Sequence, residues 1–310
     1  MAAILIPKYK ILWKRGRTLH QKRTDLALEA HELCGAAGLS GVVKRECEVL
    51  GCPVTTVYVT EESAAKSLGK SVGTYITLDL RSCSKHEDGA SERAAAAAGM
   101  ELRALLGGTT VKSALVVGLG NRAMTPDALG PLAADHILVT RHLSQDKVFA
   151  GFSSVSALAP GVLGRTGMEA AEAVHGAVRA VKPDVVIAID ALASRSLARV
   201  CSTLQLSDVG IVPGSGVGNH RKALNRETLG VPVISLGVPT VVDAVTLALD
   251  ILEDAGAYDL DPAALRGIEN VMVTPRDIDA LIQEYARIVG YGINLALQPL
   301  DYRELSELMG

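Results

Sequence analysis

The stretch from Ser113 to Pro131, SALVVGLGNRAMTPDALGP, constrains the fold of this chain more than any other. A short run rich in β-branched residues and bounded by glycines is typical of a buried parallel strand, and Gly118 and Gly120 mark the turn that follows it. Asp127 comes shortly after that turn. Open α/β sheets bind ligands at the carboxyl ends of their strands. The sequence therefore predicts that Asp127 lies where such a protein places its functional groups.

A second aspartate follows another apolar run. Residues 184–189 read DVVIAI, which predicts a buried strand, and Asp190 comes directly after it. Neighbouring parallel strands would bring Asp127 and Asp190 to the same edge of the sheet. Two carboxyl groups that share a site cannot both ionise freely, so the pair can act as acid and base on a water molecule. The pair could instead hold a divalent cation through its oxygens. Each aspartate could also cap a following helix, which the spacing alone favours.

The rest of the chain alternates between strand and helix patterns, which predicts one α/β domain. Strands are predicted at 54–60, 75–80, 113–118, 184–189, 203–208 and 231–239, the first two adjacent and antiparallel. Residues 26–50 have helical composition, and helices are predicted at 91–106, 131–143, 168–181, 239–255 and after about residue 270. The glycines of GLG and GSGVG lack the spacing of a dinucleotide-binding fingerprint, so we interpret them as places where backbones pack closely.

Composition excludes several classes of protein. Apolar residues make up 48% of the chain but aromatic residues only 3%, which suits an aliphatic core and argues against an aromatic nucleic-acid platform. Five cysteines without a CxxC pair predict reduced thiols in the cytoplasm, with no disulfide framework or zinc knuckle. No apolar run reaches the roughly 18–20 residues that a membrane-spanning helix needs. We therefore expect no membrane association.

Charge is distributed unevenly along the chain. Residues 1–25 carry seven basic residues and one acidic residue, a net charge of +6, so the remaining residues carry −9 of the total of −3. The basic residues are Lys8, Lys10, Lys14, Arg15, Arg17, Lys22 and Arg23. Such an arm could bind nucleic acid, fold back on its acidic body, or remain a solvated tail.

Long segments of the chain match a known family. They are RTDLALEA (23–30), GLGNRAMTPDALGP (118–131), LVTRHL (138–143), APGVLGRTGMEA (159–170), KPDVVIAIDALASRS (182–196), SDVGIVPGSGVGNHRK (207–222), ETLGVPVISLGVPTVVDAV (227–245) and MVTPRDID (272–279). From about residue 23 to its end, the chain resembles the germination proteases of spore-forming bacteria, which are peptidases of the A25 type. The capping interpretation loses its preference because both aspartates lie inside these motifs.

The resemblance implies an endopeptidase that begins the degradation of small acid-soluble spore proteins during germination. It implies a zymogen that removes its own propeptide and works as a homotetramer in the cytoplasm of the forespore and spore core, without a direct nucleic-acid partner. The implied fold is a three-layer α/β sandwich of the phosphorylase/hydrolase-like kind, with a mostly parallel twisted sheet flanked by helices. The family's aspartates fall on Asp127 and Asp190. Its processing site points to cleavage between Asp25 and Leu26, which separates a propeptide (1–25) from a peptidase domain (26–310).

Motifs around both aspartates are also similar, more distantly, to those of the hydrogenase-maturation endopeptidases, whose carboxylates and a histidine contact a metal. That likeness makes His220 a candidate third site residue and a divalent metal a candidate cofactor, although the preferred interpretation is a metal-free acid–base pair. Arg122 and Ala123 stand where germination proteases usually have Trp-Asn, a change that could alter specificity. The alternatives are a metal-dependent, maturation-type endopeptidase and a non-catalytic homologue that binds DNA or spore proteins.

Overall fold

The computed structural model describes residues 22–35, 39–81, 89–108, 110–214, 221–256, 265 and 267–309, and the backbone of two short strands before them. The strands are β1 (Trp13–Lys14), β2 (Arg17–Thr18), β3 (Val42–Val49), β4 (Cys52–Val59), β5 (Gly73–Asp79), β6 (Ser113–Gly118), β7 (Ser154–Leu158), β8 (Val185–Ser194), β9 (Thr203–Ser207), β10 (Val233–Asp243) and β11 (Met272–Val273). The helices are α1 (Ala27–Leu33), α2 (Glu62–Leu68), α3 (Ala90–Leu105), α4 (Leu129–Asp135), α5 (Leu163–Thr166), α6 (Ala170–Val181), α7 (Arg226–Leu229), α8 (Ala244–Asp254), α9 (Ile278–Leu297) and α10 (Tyr302–Met309).

Among the described residues, one sheet runs in the order β3-β4-β5-β9-β10-β8-β6-β7, with β11 paired to β10. The α/β sandwich expected from the sequence is confirmed, but parallel pairing is confined to the half that contains β10, β8, β6 and β7. The other half is antiparallel. The antiparallel pairing of β3 with β4 follows from the two-residue turn between them, at Leu50 and Gly51, whose φ angles are 51° and 79°. A turn this short with positive φ at both positions joins only antiparallel strands.

Helices cover both faces of the sheet. On the first face, α3, α4 and α9 pack on an apolar cluster that draws residues from β4, β5, β6, β8, β9 and β10. On the second face, α6 and α7 cover the parallel half and α1 and α2 cover part of the antiparallel half, in two separate apolar clusters. Between these clusters the second face carries buried polar residues instead. They include Thr77, Asp190, Gln205 and Ser235.

Several predicted boundaries were wrong. Residues 42–49 form strand β3 although their composition was interpreted as helical, because they pair with β4 over eight positions. Residues 239–243, predicted to begin a helix, continue β10 past a bulge between Pro239 and Val241. The helix begins only after Asp243, whose side chain accepts a hydrogen bond from the backbone N–H of Thr246. The predicted helix 131–143 is limited to α4, followed by a short 3₁₀ turn. Strand 113–118 and the antiparallel pair of β4 and β5 are confirmed.

The cysteines depart in part from the expectation of reduced thiols. Cys52, the first residue of β4, is disulfide-bonded. Cys34, Cys47 and Cys201 are in the reduced thiol form. The absence of a CxxC pair does not exclude a disulfide between cysteines at other spacings. Within the described part of the chain, none of the helices combines the length and the apolar character that crossing a bilayer requires.

The glycines around β6 permit backbone-to-backbone packing, as the sequence suggested. A Cβ atom on Gly118 would lie 2.1 Å from the carbonyl oxygen of Gly130 in α4. One on Gly130 would lie 2.2 Å from the carbonyl oxygen of Leu119. These distances are far below a normal van der Waals contact. The strand and the helix that follows it therefore approach each other at a separation that only glycine allows.

We predict that Gly118→Ala lowers the free energy of unfolding by about 1–3 kcal/mol, because the added methyl group must push α4 away from β6. Gly176→Ala is the matched control, since Gly176 is exposed within α6 and nothing lies within 4 Å of its added Cβ. That control is expected to stabilise the protein by about 0.5–1 kcal/mol. Urea unfolding of both variants measures the difference. Equal effects of the two substitutions would contradict the packing argument.

Candidate active site

Asp127 lies in a 3₁₀ turn, Thr125–Asp127, between β6 and α4. The backbone N–H of Asn121 is within 2.9 Å of both the carbonyl oxygen and Oδ2 of Asp127. Gly120 makes this contact possible, because its φ is +116° and a Cβ there would lie 2.1 Å from the Asp127 carbonyl oxygen. No side chain caps the start of α4. The helix-capping interpretation of Asp127 is therefore wrong.

Asp190 lies within β8 rather than at its end, because the strand continues to Ser194 alongside β10. Its side chain is 6% exposed, and Oδ1 accepts a hydrogen bond of 2.9 Å from the backbone N–H of Ala191. Alternation along the strand turns Asp190 to the second face of the sheet, the face of Val186 and Ala188. Asp190 therefore caps no helix. Its carboxyl group is buried on the sheet, one position beyond the end of the pairing between β8 and β6.

Asp25, Asp127 and Asp190 line one cavity of about 320 Å³. Burial, together with the carboxyl groups of Asp127 and Asp25, holds the pKa of Asp190 well above its usual range. Burial also raises the pKa of Asp127, but the Asn121 N–H and the guanidinium of Arg221 partly oppose this. The cavity thus contains two carboxyl groups with unequal proton affinities. Asp190 is the better proton holder and Asp127 the better base.

Asp25 lines this cavity, and hydrogen bonds hold its backbone and side chain in place. The backbone N–H of Asp25 donates to the carbonyl oxygen of Ala193 at 2.8 Å, and Oδ2 of Asp25 accepts from the N–H of Ala193 at 2.8 Å. Its carbonyl oxygen accepts from Nζ of Lys70 at 2.7 Å and from Nε2 of Gln205 at 3.2 Å. Asp25 is partly buried and Leu26 is fully buried. The backbone of Asp25 is therefore held at its N–H by Ala193 and at its carbonyl oxygen by Lys70 and Gln205.

Helix α1 anchors the segment on its C-terminal side. Glu29 has no exposed surface and accepts hydrogen bonds from the backbone N–H groups of Arg195 and Ser196, at 2.6 and 3.1 Å. The guanidinium of Arg199 also pairs with it, at 3.1 Å. Thr24 completes the set by donating its hydroxyl to the same carboxylate. A buried carboxylate with this many donors holds its position rigidly.

Basic residues before Asp25 pair with acidic residues around α8. Lys22 forms ion pairs with Asp250 and Glu253, and Arg23 lies 3.8 Å from Asp243. The described end of the basic arm is thus folded against the acidic body, one of the three behaviours that the charge pattern allowed.

The structure brings together four of the residues singled out from the sequence: Asp25, Leu26, Asp127 and Asp190. His220 lies outside the described residues. Among those that are described, no group of three or more His, Cys, Asp or Glu side chains is arranged to hold a metal ion. Each catalytic candidate carboxyl group already accepts one backbone N–H, at Oδ2 of Asp127 and Oδ1 of Asp190.

Arg122, one of the two residues that depart from the usual family pattern, lies on the surface beside α4. It forms an ion pair with Asp135 and donates to the carbonyl oxygen of Pro131 at 3.3 Å. Both Arg122 and Ala123 are exposed. Their effect on specificity stays a prediction.

Sequence reasoning missed Lys70, Gln205 and Arg221. Arg221 lines the cavity with the aspartates, and Lys70 and Gln205 contact the Asp25 carbonyl oxygen. Gln205 carried a signal, because an amide alternates with Leu204 and Leu206 inside an apolar strand. Lys70 carried none, since a lysine after a helix-ending glycine is ordinary surface composition.

Comparisons with known proteins agree with the resemblance. The sequence profile of the family described as Germination protease matches residues 22–255. The chain is 43% identical to the germination protease of Caldanaerobacter subterraneus, covering 93% of this chain and 98% of that protein. It is 46% identical to that of a Geobacillus strain, covering 90% and 94%, and 40% identical to that of Clostridium perfringens, covering 91% and 96%.

A NiFe hydrogenase maturation protease from Thermococcus kodakarensis is a match among solved structures. It is 16% identical and covers 63% of this chain and 99% of its own, with a TM-score of 0.36. Similarity at this level carries no argument about mechanism or metal content.

The raised pKa of Asp190 predicts a pH-dependent effect on stability. The unfolded chain releases this proton near the ordinary pKa of aspartate, whereas the folded protein retains it to higher pH, so folding becomes less favourable as the pH rises between those values. We expect Asp190→Asn to remove this loss. The comparison is made between Asp127→Asn and the double variant Asp127→Asn/Asp190→Asn. The free energy of unfolding should be higher for the double variant, and this difference should grow from about pH 4 to about pH 8.

Urea unfolding across this pH range measures the gain. Asp279→Asn in the same background is the matched control, because Asp279 is exposed in the first turn of α9. A gain for Asp190→Asn that stays constant or shrinks with rising pH would contradict the assignment of Asp190 as the buried, protonated member of the pair.

Proposed function

Because this chain belongs to the germination protease family, we propose that it is an endopeptidase whose first substrate is its own peptide bond between Asp25 and Leu26. The observation that carries the proposal is the location of that bond. Asp25 lines the same cavity as Asp127 and Asp190, and its backbone is hydrogen-bonded to β8, the strand that contains Asp190. A bond held against two carboxyl groups with unequal proton affinities is positioned for acid–base hydrolysis.

The proposed mechanism uses both carboxyl groups. Ionised Asp127 takes a proton from a water molecule. As it does so, the oxygen of that water attacks the carbonyl carbon of Asp25. Protonated Asp190 then donates its proton to the nitrogen of Leu26 as the carbon–nitrogen bond breaks. The products are a new α-carboxylic acid on Asp25 and an α-amine on Leu26. The proton on Asp127 then passes to Asp190, which restores the starting pair. Burial of Asp190 supports these roles, since it keeps a carboxyl group protonated in the pH range where peptide hydrolysis needs an acid.

Burial of the cleaved segment supports self-processing over cutting by another protease. Leu26 and Ala27 have no exposed surface, and Asp25 is only partly exposed. A second protease would need to extract this segment from the fold before it could bind the segment in its own active site. Cleavage within the same chain requires no such local unfolding. We therefore propose that the chain is a zymogen that processes itself.

The arm of residues 1–25 is the proposed propeptide. Lys22 and Arg23 pair with the acidic side chains of Asp243, Asp250 and Glu253. These contacts favour an arm that folds on the body over an arm that binds DNA. Asp25 at the end of the arm lines the cavity, and we propose that it blocks other substrates until the bond is cut.

We extend the proposal to biology through the family relationship. The mature enzyme would degrade small acid-soluble spore proteins as germination begins, act as a homotetramer, and work in the cytoplasm of the forespore and spore core. The relatives are germination proteases, which supports a role in germination. The substrate, the assembly and the compartment rest on the resemblance.

We predict that Asp127→Asn and Asp190→Asn each slow self-processing by about 10²- to 10⁴-fold, because each removes one partner in proton transfer. The chains are made in a cell-free translation system, and the mass of the N-terminus is followed over time. Asp279→Asn, which removes an exposed carboxylate, should process at the parent rate. Normal processing by either active-site variant would remove that residue from the mechanism.

The same assay tests the metal-dependent alternative. Processing at the parent rate after exhaustive chelation, with no bound metal detected by elemental analysis, excludes a cation mechanism. Loss of processing that returns on adding one divalent metal supports it and replaces the acid–base pair.

Arg221 lowers the pKa of both Asp127 and Asp190 through its charge. We therefore predict that Arg221→Gln moves both limbs of the pH–rate profile of self-processing to higher pH. Lys222→Gln is the matched control, because Lys222 is exposed and lies 3.9 Å from Glu172. An unchanged profile for Arg221→Gln, or a shift to lower pH, would show that Arg221 does not act on the pair.

A further inference from the structure

Lys70 follows the end of α2 and reaches the backbone of Thr24 and Asp25. The helix ends at Gly69, whose φ of 62° turns the chain so that Lys70 leaves the helix axis. Nζ of Lys70 donates to the carbonyl oxygen of Asp25 at 2.7 Å and to that of Thr24 at 3.2 Å. The residue as a whole is partly exposed, but its ammonium group is withdrawn from solvent. A cationic donor is thus aimed at one backbone oxygen.

Gln205 contacts the same segment from β9. Its Nε2 donates to the Asp25 carbonyl oxygen at 3.2 Å, and its Oε1 accepts from the backbone N–H of Ala27 at 2.8 Å. One amide group therefore binds the segment on both sides of the bond that follows Asp25. The side chain is 8% exposed, so these hydrogen bonds form in a largely water-free setting.

Strand register places Gln205 and Asp190 on opposite sides of the same glycine. Gln205 pairs with Gly237 of β10, and Gly237 pairs with Asp190 of β8. A Cβ on Gly237 would lie 2.6 Å from the side chain of Leu192, so this position takes no side chain without rearrangement. Two strand spacings of about 4.8 Å separate Gln205 from Asp190.

A second cavity, of about 190 Å³, is lined by Lys70, Gln205, Gly237, Asp190 and Asp25. Lys70 and Gln205 thus contact the Asp25 carbonyl oxygen in this cavity, which Asp190 of β8 also lines. Asp127 lines the first cavity, and Asp25 and Asp190 line both. During hydrolysis, attack by water moves an electron pair onto this carbonyl oxygen. The negative charge develops on the atom that Lys70 and Gln205 contact.

We propose that Lys70 and Gln205 form the oxyanion-stabilising site of this peptidase, holding the carbonyl oxygen of the scissile bond while Asp127 and Asp190 move protons. The inference rests on the proposed cleavage between Asp25 and Leu26. As the carbon–nitrogen bond breaks, the electron pair of the oxyanion reforms the carbonyl group, and the leaving nitrogen takes its proton from Asp190. Donors that are fixed before the reaction stabilise developing charge without reorganising.

Two opposing effects act on the charge of Lys70. Burial lowers its pKa, whereas the carboxyl groups of Asp25 and Glu29 favour the ammonium form and oppose that change. A cation held among carboxylates is a strong donor to an oxyanion. The same residue could alternatively do no more than hold the segment in place, and the experiment below separates these two roles.

The experiment compares Lys70→Met with Lys66→Met, a matched variant that removes an exposed positive charge one turn earlier, in α2. Self-processing is timed in cell-free translation by N-terminal mass. We expect Lys70→Met to process about 10²- to 10³-fold more slowly than the parent, as is typical when one oxyanion donor is removed. Lys66→Met should match the parent, and Lys70→Arg should recover part of the rate.

Hydrogen exchange tests whether Lys70 acts on the reaction or on docking. Protection of residues 22–33 in full-length Lys70→Met is compared with that in full-length Asp190→Asn. Slow processing with retained protection supports the proposal. Slow processing with lost protection overturns it, because Lys70 would then only position the segment. Parent-like processing by Lys70→Met overturns it as well. A parent chain that never processes overturns the proposed function itself.

Gln205→Glu provides an independent test. It retains an oxygen to accept the Ala27 N–H but loses the donor to the Asp25 carbonyl oxygen until the new carboxyl group is protonated. The cavity already contains Lys70, Asp25 and Asp190 around this position. We expect the rate of Gln205→Glu relative to the parent to fall at neutral pH and to recover as the pH decreases. A ratio that does not change with pH would overturn the role of Gln205 as a donor.

Discussion

A carboxyl group buried within a β-sheet is the constraint on which this structure depends. Asp190 lies in β8 beside Gly237 of β10, one position beyond the last β8 residue that pairs with β6. The part of β8 before it is an aliphatic run. Burying a charge there is costly, so the group is favoured in its protonated form. Three features of the surrounding structure make room for this carboxyl group and bind it. Ala191 supplies a backbone donor, Gly237 leaves the neighbouring position without a side chain, and a segment of the chain itself covers the site.

Close packing of backbones brings the second carboxyl group, that of Asp127, to the cavity that Asp190 lines. The glycines around β6 let the chain double back through a 3₁₀ turn, so that Asp127 is held by the N–H of Asn121 while α4 packs directly against the strand. Larger residues at Gly118 or Gly120 would move the turn and its carboxylate. A rigid fold and a precise site thus rest on the same contacts, because an acid–base pair works only when its members are positioned to within a fraction of an ångström.

Much of this was predictable from the sequence. The strand before Asp127 was located correctly, as were the antiparallel pair of β4 and β5 and the crowding at the glycines, because each depends on residues close together in the chain. The helix-capping interpretation was wrong for both aspartates. It failed for Asp190 because β8 continues beyond it, and strand length is decided by pairing with β10, a strand more than forty residues away in the sequence.

The sequence by itself determined the local pattern: an aliphatic strand, a glycine turn, two aspartates that each come after an aliphatic run, and a basic arm ahead of an acidic body. These follow from side-chain size, charge and backbone freedom of neighbouring residues. Only the tertiary structure decided that Lys70 and Gln205 meet the Asp25 carbonyl oxygen opposite Asp190. That arrangement depends on strand order and register across the sheet, which long-range packing sets and no short stretch of sequence encodes.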